Sequence, residues 1–231
     1  MRFEPRWAVR QDGRPCPQSR LPLVADERVD DLGVATVTAV SVGGMDNIAY
    51  LVRDSATGQQ LLVDAAAEPD RLLGLLAGRP LAAVVTTHRH RDHWAALAAV
   101  VEATGAQTLA GAPDAEAIPV PTDRSLGDGD TVRVGELSMG VLRLTGHTPG
   151  GIALTLTDRT GRTHVFTGDS LFPGGVGRTG SPADFARLLD DVTAKLFDAL
   201  GDDSVVLPGH GAPTTLGEER PHLPEWRARG W

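Results

Sequence analysis

Residues 81–94, LAAVVTTHRHRDHW, limit what this chain can fold into more than any other stretch. Residues 81–87 form a short, continuous apolar run bounded by Pro80 and a polar cluster, the pattern of a buried strand. His88-Arg89-His90-Arg91-Asp92-His93 follows directly, so three of the seven histidines fall within six positions. In extended backbone His88 and His90 project to the same side, while Asp92 and His93 sit at the turn into the next helix and can face a second position. Imidazole and carboxylate donors together suit Zn²⁺ or another borderline first-row metal. A lone histidine here would be an ordinary surface residue. Four donors packed at the end of one buried strand point to a metal site.

The remaining pattern supplies a frame for that segment. Residues 35–42 and 48–52 are β-branched and strand-like, with Gly43-Gly44 as the turn between them. Residues 60–64 form another short strand, ending on Asp64. Residues 69–76 read as a helix stopped by Gly78 and Pro80, and residues 96–103 as a helix closed by Gly105. Residues 130–145 alternate as a hairpin, and residues 152–156, 164–167 and 205–207 add strands. Residues 184–200 form an amphipathic helix with Phe185, Leu188, Leu189, Val192, Leu196 and Phe197 on one face. Two sheets with helices outside, an α/β (α+β) sandwich in a single domain over residues 34–231, account for this mix. The polar, Pro-rich residues 1–33 are expected to be an extended lead-in packed on the domain.

Charge and composition narrow the function. A formal charge of −8 is the wrong sign for a nucleic-acid surface. No apolar stretch is long enough for a membrane helix. Residues 1–10 contain an acidic residue and no apolar core of a secretory signal, and Cys16 is the only cysteine, so a disulfide framework is excluded and cytoplasmic residence is expected.

The run at residues 88–93 matches the His-x-His-x-Asp-His motif of the metallo-β-lactamase superfamily. Gly146-His147-Thr148-Pro149-Gly150, Thr167-Gly168-Asp169-Ser170 and Pro208-Gly209-His210-Gly211 follow in that family's order. Asp46-Asn47 before a strand and Asp64 after the next also fit, so the resemblance covers roughly residues 43–215. It implies a four-layer αββα sandwich and two divalent metal ions, Zn²⁺ first and Fe²⁺ or Mn²⁺ as alternatives. His88, His90 and His147 would hold one ion, Asp92, His93 and His210 the other, and Asp169 would bridge both, with a hydroxide between them. Asp92 and Asp169 are the implied catalytic carboxylates, with Asp92 orienting the hydroxide. Asp64, Asn47 and Arg178 are expected to support the ligands or meet substrate. His164 and His222 remain for structural roles.

In detail the chain resembles the glyoxalase II-like branch, through His147-Thr148-Pro149-Gly150, Gly177-Arg178-Thr179 and His210-Gly211 followed by Thr214-Thr215-Leu216-Gly217. Asp169 stands where some β-lactamases carry cysteine. Two positions depart from the branch: Gly151 replaces a frequent His or Ser, and only 21 residues follow His210, too few for the helical domain that helps glutathione-specific members hold their substrate. The tail at residues 218–226 is expected to pack back on the domain. The resemblance implies hydrolysis of a small thioester by a monomer or homodimer, and the short tail leaves room for a low-molecular-weight thiol other than glutathione. It also leaves room for a persulfide dioxygenase with one iron at His88, His147 and Asp169, and for a lactonase or phosphodiester hydrolase. Gly174-Gly175-Val176-Gly177 reads either as a flexible loop or as a loop beside the metals.

Overall fold

The computed structural model describes residues 27–230. Seven strands form one sheet in chain order: β1 (Glu27–Asp31), β2 (Ala35–Val42), β3 (Asn47–Asp54), β4 (Gln60–Val63), β5 (Leu81–Thr86), β6 (Gln107–Gly111) and β7 (Arg124–Leu126). Its first four strands are antiparallel, and β4 to β7 run parallel. The second sheet uses β8 (Thr131–Val134), β9 (Leu137–Arg143), β10 (Ile152–Thr157), β11 (Thr163–Gly168), β14 (Val205–Pro208) and β15 (Thr214–Thr215), in the order β15-β14-β11-β10-β9-β8. Between β11 and β14 the chain makes a small hairpin, β12 (Leu171–Phe172) with β13 (Gly175–Val176).

Three apolar clusters fix the layers. Val37, Val52, Leu61, Val85, Met139, Leu154 and Phe166 fill the space between the two sheets. On the outer face of the first sheet, Leu51, Leu62 and Val84 meet α1 (Pro69–Leu75) and α2 (Leu97–Thr104). On the outer face of the second, Ala153, Val165 and Val206 meet α4 (Pro182–Val192) and the tail helices α5 (Leu216–Glu219) and α6 (Leu223–Arg229). A four-residue α3 (Ala112–Ala115) follows β6. The result is an αββα sandwich, the architecture implied by the resemblance. Among the described residues no helix is long and apolar enough to cross a membrane.

The structure differs from the sequence reading in four places. Residues 27–31, placed with the lead-in, form the edge strand β1, whose charged residues suit an edge because unpaired edges invite aggregation. Residues 1–26 of that lead-in lie outside the described residues. The single helix expected over residues 184–200 is α4 followed by a π-helical turn, Thr193–Phe197, where Asp198 N–H reaches back to Thr193 O. Residues 174–177 close the β12–β13 hairpin. Strands β6 and β7 extend the parallel part of the first sheet.

Both sheets end together along one edge of the sandwich, and backbone bonds tie them there. Ile48 N–H donates to Gly209 O at 2.8 Å, and Ile152 N–H to Thr87 O at 2.9 Å. Tyr50 crosses the core, stacks edge-on against Phe166 and donates to Pro208 O at 2.6 Å. Chain segments after β4, β5, β11 and β14 therefore converge on one small volume. If the inter-sheet core positions this edge, Leu154→Ala, which empties a fully buried site, lowers stability in urea unfolding by about 2–5 kcal/mol. A cost of about 0.5 kcal/mol, the scale of a surface substitution, contradicts that placement.

Candidate metal centre

Five histidines and two aspartates meet at this edge. His88 and His90 follow β5, and Asp92 and His93 lie in a single 3₁₀ turn, Arg91–His93. His147 comes from the β9–β10 connection, Asp169 follows β11 and His210 follows β14. His88 Nε2 is 3.1 Å from His90 Nδ1 and 3.3 Å from His147 Nε2. Asp92 Oδ2 is 3.5 Å from His93 Nε2 and 3.3 Å from His210 Nε2. Asp169 stands between the two groups: Oδ1 is 3.3 Å from His93 Nε2, and Oδ2 is 3.6 Å from both His147 Nε2 and His210 Nε2. Among the described residues, the three clusters of convergent donors able to hold a metal are all drawn from these seven side chains.

On His88, His93, His147 and His210 the nitrogen facing away from the centre is anchored, which fixes which ring nitrogen faces inward. Asp64 is buried and left-handed (φ 61°) at the end of β4. It accepts from Thr87 N–H at 2.7 Å and Thr87 Oγ1–H at 2.8 Å, and its Oδ2 lies 2.8 Å from His93 Nδ1. Thr87 Oγ1 in turn lies 3.1 Å from His88 Nδ1, so one carboxylate orients two imidazoles. His147 Nδ1 meets Arg178 O at 2.6 Å and His210 Nδ1 meets Met45 O at 3.0 Å. Asn47 Nδ2 donates to Asp92 Oδ2 at 2.9 Å. Of the supporting residues expected from sequence, Asp64 and Asn47 act through their side chains, whereas Arg178 contributes its carbonyl and its side chain is exposed. His164 pairs with Asp158 at 3.1 Å, away from the centre.

Sequence reasoning missed Asp114. Fully buried in α3, it accepts from Arg89 N–H at 3.0 Å and Gly150 N–H at 2.8 Å, joining the two loops that carry His88, His90 and His147. The segment around it, Ala-Pro-Asp-Ala, carries no motif, and its hydrogen bonds go to backbone groups with only the Arg89 guanidinium nearby at 3.9 Å, so no side-chain pattern marks it. Gly209 is required by close approach: a Cβ there would lie 2.5 Å from Asp169 Oδ1 and 2.7 Å from His93 Cε1.

A family model for the metallo-beta-lactamase superfamily matches residues 42–210. The chain belongs to this superfamily. A hydroxyacylglutathione hydrolase of Cereibacter sphaeroides is 40% identical over 183 residues, covering 78% of this chain and 66% of that protein. The chain spans about half to two thirds of the length of such curated relatives. Among solved structures, ETHE1 from Myxococcus xanthus is 32% identical with a TM-score of 0.72, covering 83% of this chain and 84% of that one. TTHA1623, solved in a di-iron-bound form, is 34% identical with a TM-score of 0.63, covering 79% and 96%.

Electrostatics divide the donors of this superfamily member into two kinds. Burial, reinforced by the neighbouring histidines, holds His88 well below the ordinary histidine range, and burial beside His147 lowers His90. Their inward nitrogens are lone pairs ready for a cation. Burial opposes charge on His93 too, but Asp64 and Asp169 outweigh it and raise His93 well above its ordinary value. At His210 burial is likewise outweighed, by Asp92 and Asp169. Burial would raise both acids, yet His210 and Asn47 hold Asp92, and His93 holds Asp169, below the usual carboxylate range. Asp169 Oδ1 is buried and makes no well-aligned hydrogen bond, its near neighbour being His93 Nε2 at 3.3 Å. Such a set, with crowded lone pairs, ionised carboxylates and a poorly bonded buried oxygen, fits divalent cations.

The sign of the pH dependence follows. Because the pKa values of His93 and His210 are raised in the metal-free protein, a proton occupies each of them where an ordinary histidine is already neutral. A cation must displace those protons, so metal affinity rises with pH and falls on acidification. Calorimetry of Zn²⁺ binding in buffers of different ionisation enthalpy should show protons released near neutral pH. Binding without proton release contradicts the ion-paired state of His93 and His210.

Proposed function

We propose that this chain is a metal-dependent hydrolase of small thioesters, with His88, His90 and His147 holding one divalent ion, Asp92, His93 and His210 the other, and Asp169 shared by both. The observation that carries the reading is the position of Asp169, whose two oxygens lie 3.3–3.6 Å from nitrogens belonging to both donor groups. When bound, a pair of divalent ions supplies Lewis acidity and a water activated near neutral pH. Zn²⁺ is the first expected metal, with Fe²⁺ or Mn²⁺ as alternatives.

The chain's own residues do the rest. Asp64 and Thr87 keep the imidazoles of His93 and His88 turned inward without a search over rotamers, and Asp114 fixes the spacing between the two ligand-bearing loops. Asp92, half-buried and anchored by Asn47, stays ionised, so it orients the attacking water by accepting a hydrogen bond from it. The donors are committed to the centre, leaving none of them as a dedicated acid for a leaving group. That favours a substrate whose leaving group departs unaided. A thiol, with a pKa of about 8.5 against about 16 for water, leaves as thiolate where an alkoxide would not. Similarity to hydroxyacylglutathione hydrolases supports the same choice, and the acidic chain supports a small molecule over a nucleic acid as the partner.

A second reading rests on a smaller set of donors. His88 Nε2, His147 Nε2 and Asp169 Oδ2 lie 3.3, 3.6 and 4.0 Å from one another, a two-histidine, one-carboxylate arrangement of the kind that holds a single non-haem iron in oxygenases. A persulfide dioxygenase would use it. Elemental analysis beside parallel assays of thioester hydrolysis and persulfide-dependent oxygen uptake separates the two: the hydrolase shows thioester turnover without oxygen uptake. Asp169→Ala is expected to cut kcat/KM on the thioester by more than about 100-fold, beyond the loss of a merely supporting contact, with the far-ultraviolet circular dichroism unchanged. Unchanged turnover contradicts the assigned role.

A further inference from the structure

The β12–β13 hairpin lies against the metal centre, held at its base by Leu171 and Val176 in the outer core, while its turn at Pro173 and Gly174 is exposed. Two strands of two residues are not stable alone. Leu171 anchors one strand in the outer core, and Thr167 Oγ1 donates to Leu171 O at 2.9 Å. The hairpin carries Phe172, whose ring centre is 6.4 Å from that of His210. The chain leaving it runs through Gly177, so close to Asp169 O that a side chain would clash, to Arg178 O, the acceptor for His147 Nδ1. Phe172 and the segment that leaves the hairpin thus face donors of both groups.

Its tip is held from the tail. Glu219, at the end of α5, is buried at 6% exposure. Its Oε2 accepts from Gly174 N–H at 2.8 Å, at the left-handed tip (φ 87°). Its Oε1 accepts from Thr214 Oγ1–H at 2.8 Å, a hydroxyl that also lies 2.9 Å from Glu218 Oε2. A buried carboxylate is costly unless it is hydrogen-bonded, and holding α5 to the body would not require a charged group reaching the hairpin. The tail itself is fixed independently, by Trp226 packed against Phe197 and by Arg220 bonded to Asp202 and Phe197 O.

We infer that Glu219 is a positioning residue of the metal centre: by tying the tip of the β12–β13 hairpin to the tail, it fixes the Arg178 carbonyl that orients His147. The inference rests on the proposed metal-binding role of His147, and it is tested without substrate. Zn²⁺ affinity is measured by competition with a chromogenic chelator for the parent chain, Glu219→Ala, Glu219→Gln, Thr214→Val and Trp226→Ala. Glu219→Ala should weaken binding of one Zn²⁺ about tenfold, the lower end of what loss of a contact supporting a ligand costs. Glu219→Gln, which can still accept from Gly174 N–H, should restore most of that loss. Thr214→Val should weaken binding in the same direction but less. Trp226→Ala, which removes a packing contact of α6 while Arg220 still holds α5 to Asp202 and Phe197 O, should lower Tm with less effect on Zn²⁺.

Parent-like Zn²⁺ affinity in Glu219→Ala, or weakening that tracks Tm across all four variants, overturns the inference. If Glu219→Ala does not fold, Glu219→Gln and Thr214→Val decide: parent-like affinity in Glu219→Gln with weakened affinity in Thr214→Val supports the tether, and parent-like affinity in both overturns it. A parent chain that binds Zn²⁺ but turns over no thioester defeats the proposed reaction and leaves the tether standing.

Discussion

Imidazole lone pairs and carboxylate oxygens repel when they converge with neither proton nor cation between them. Here His88, His90, His93, His147, His210, Asp92 and Asp169 are brought to such a convergence. Asp64, Asp92 and Asp169 offset part of that repulsion, raising His93 and His210 above the ordinary histidine range. Little in the donor set itself would keep these groups together. The frame does so, through carboxylates placed behind the donors: Asp64 behind His88 and His93, and Asp114 behind the loops of His88 and His147. The inter-sheet core supplies the rigid ends on which those carboxylates sit, and backbone bonds from Ile48 to Gly209 and Ile152 to Thr87 lock the two sheets at that edge.

The donors were legible in the sequence because metal ligation concentrates rare residue types at fixed spacings, and a histidine cluster after an apolar strand is hard to mistake. The central strands were legible for a related reason: burial on both faces writes continuous apolar runs such as residues 81–87. What escaped was whatever acts through the backbone. Asp114 holds two N–H groups, Arg178 works through its carbonyl, and Met45 supplies another, and none of these roles depends on a side-chain pattern. The edge strand β1 escaped because residues 27–31 are mostly charged, as a solvent-facing edge permits. The β12–β13 hairpin escaped because its strands are too short to show a period, and its glycines read equally well as a loop.

The same division bears on chemistry. The donor side chains define what kind of reaction the centre can support, and the residues behind them define how well it is held in geometry. The choice of a thioester rests on the leaving group's acidity and on likeness to hydroxyacylglutathione hydrolases over part of their length. The hairpin carrying Phe172 leads directly to the Arg178 carbonyl behind His147, so under the proposed tether the tail serves the centre as well as the fold.

The central claim is that seven side chains form one centre for two ions, with Asp169 common to both. The most direct test is native mass spectrometry of metal-stripped protein titrated with Zn²⁺. The account predicts two ions per chain, the same species that hydrolyses thioester. Saturation at a single ion, or an active species carrying only one, would contradict it.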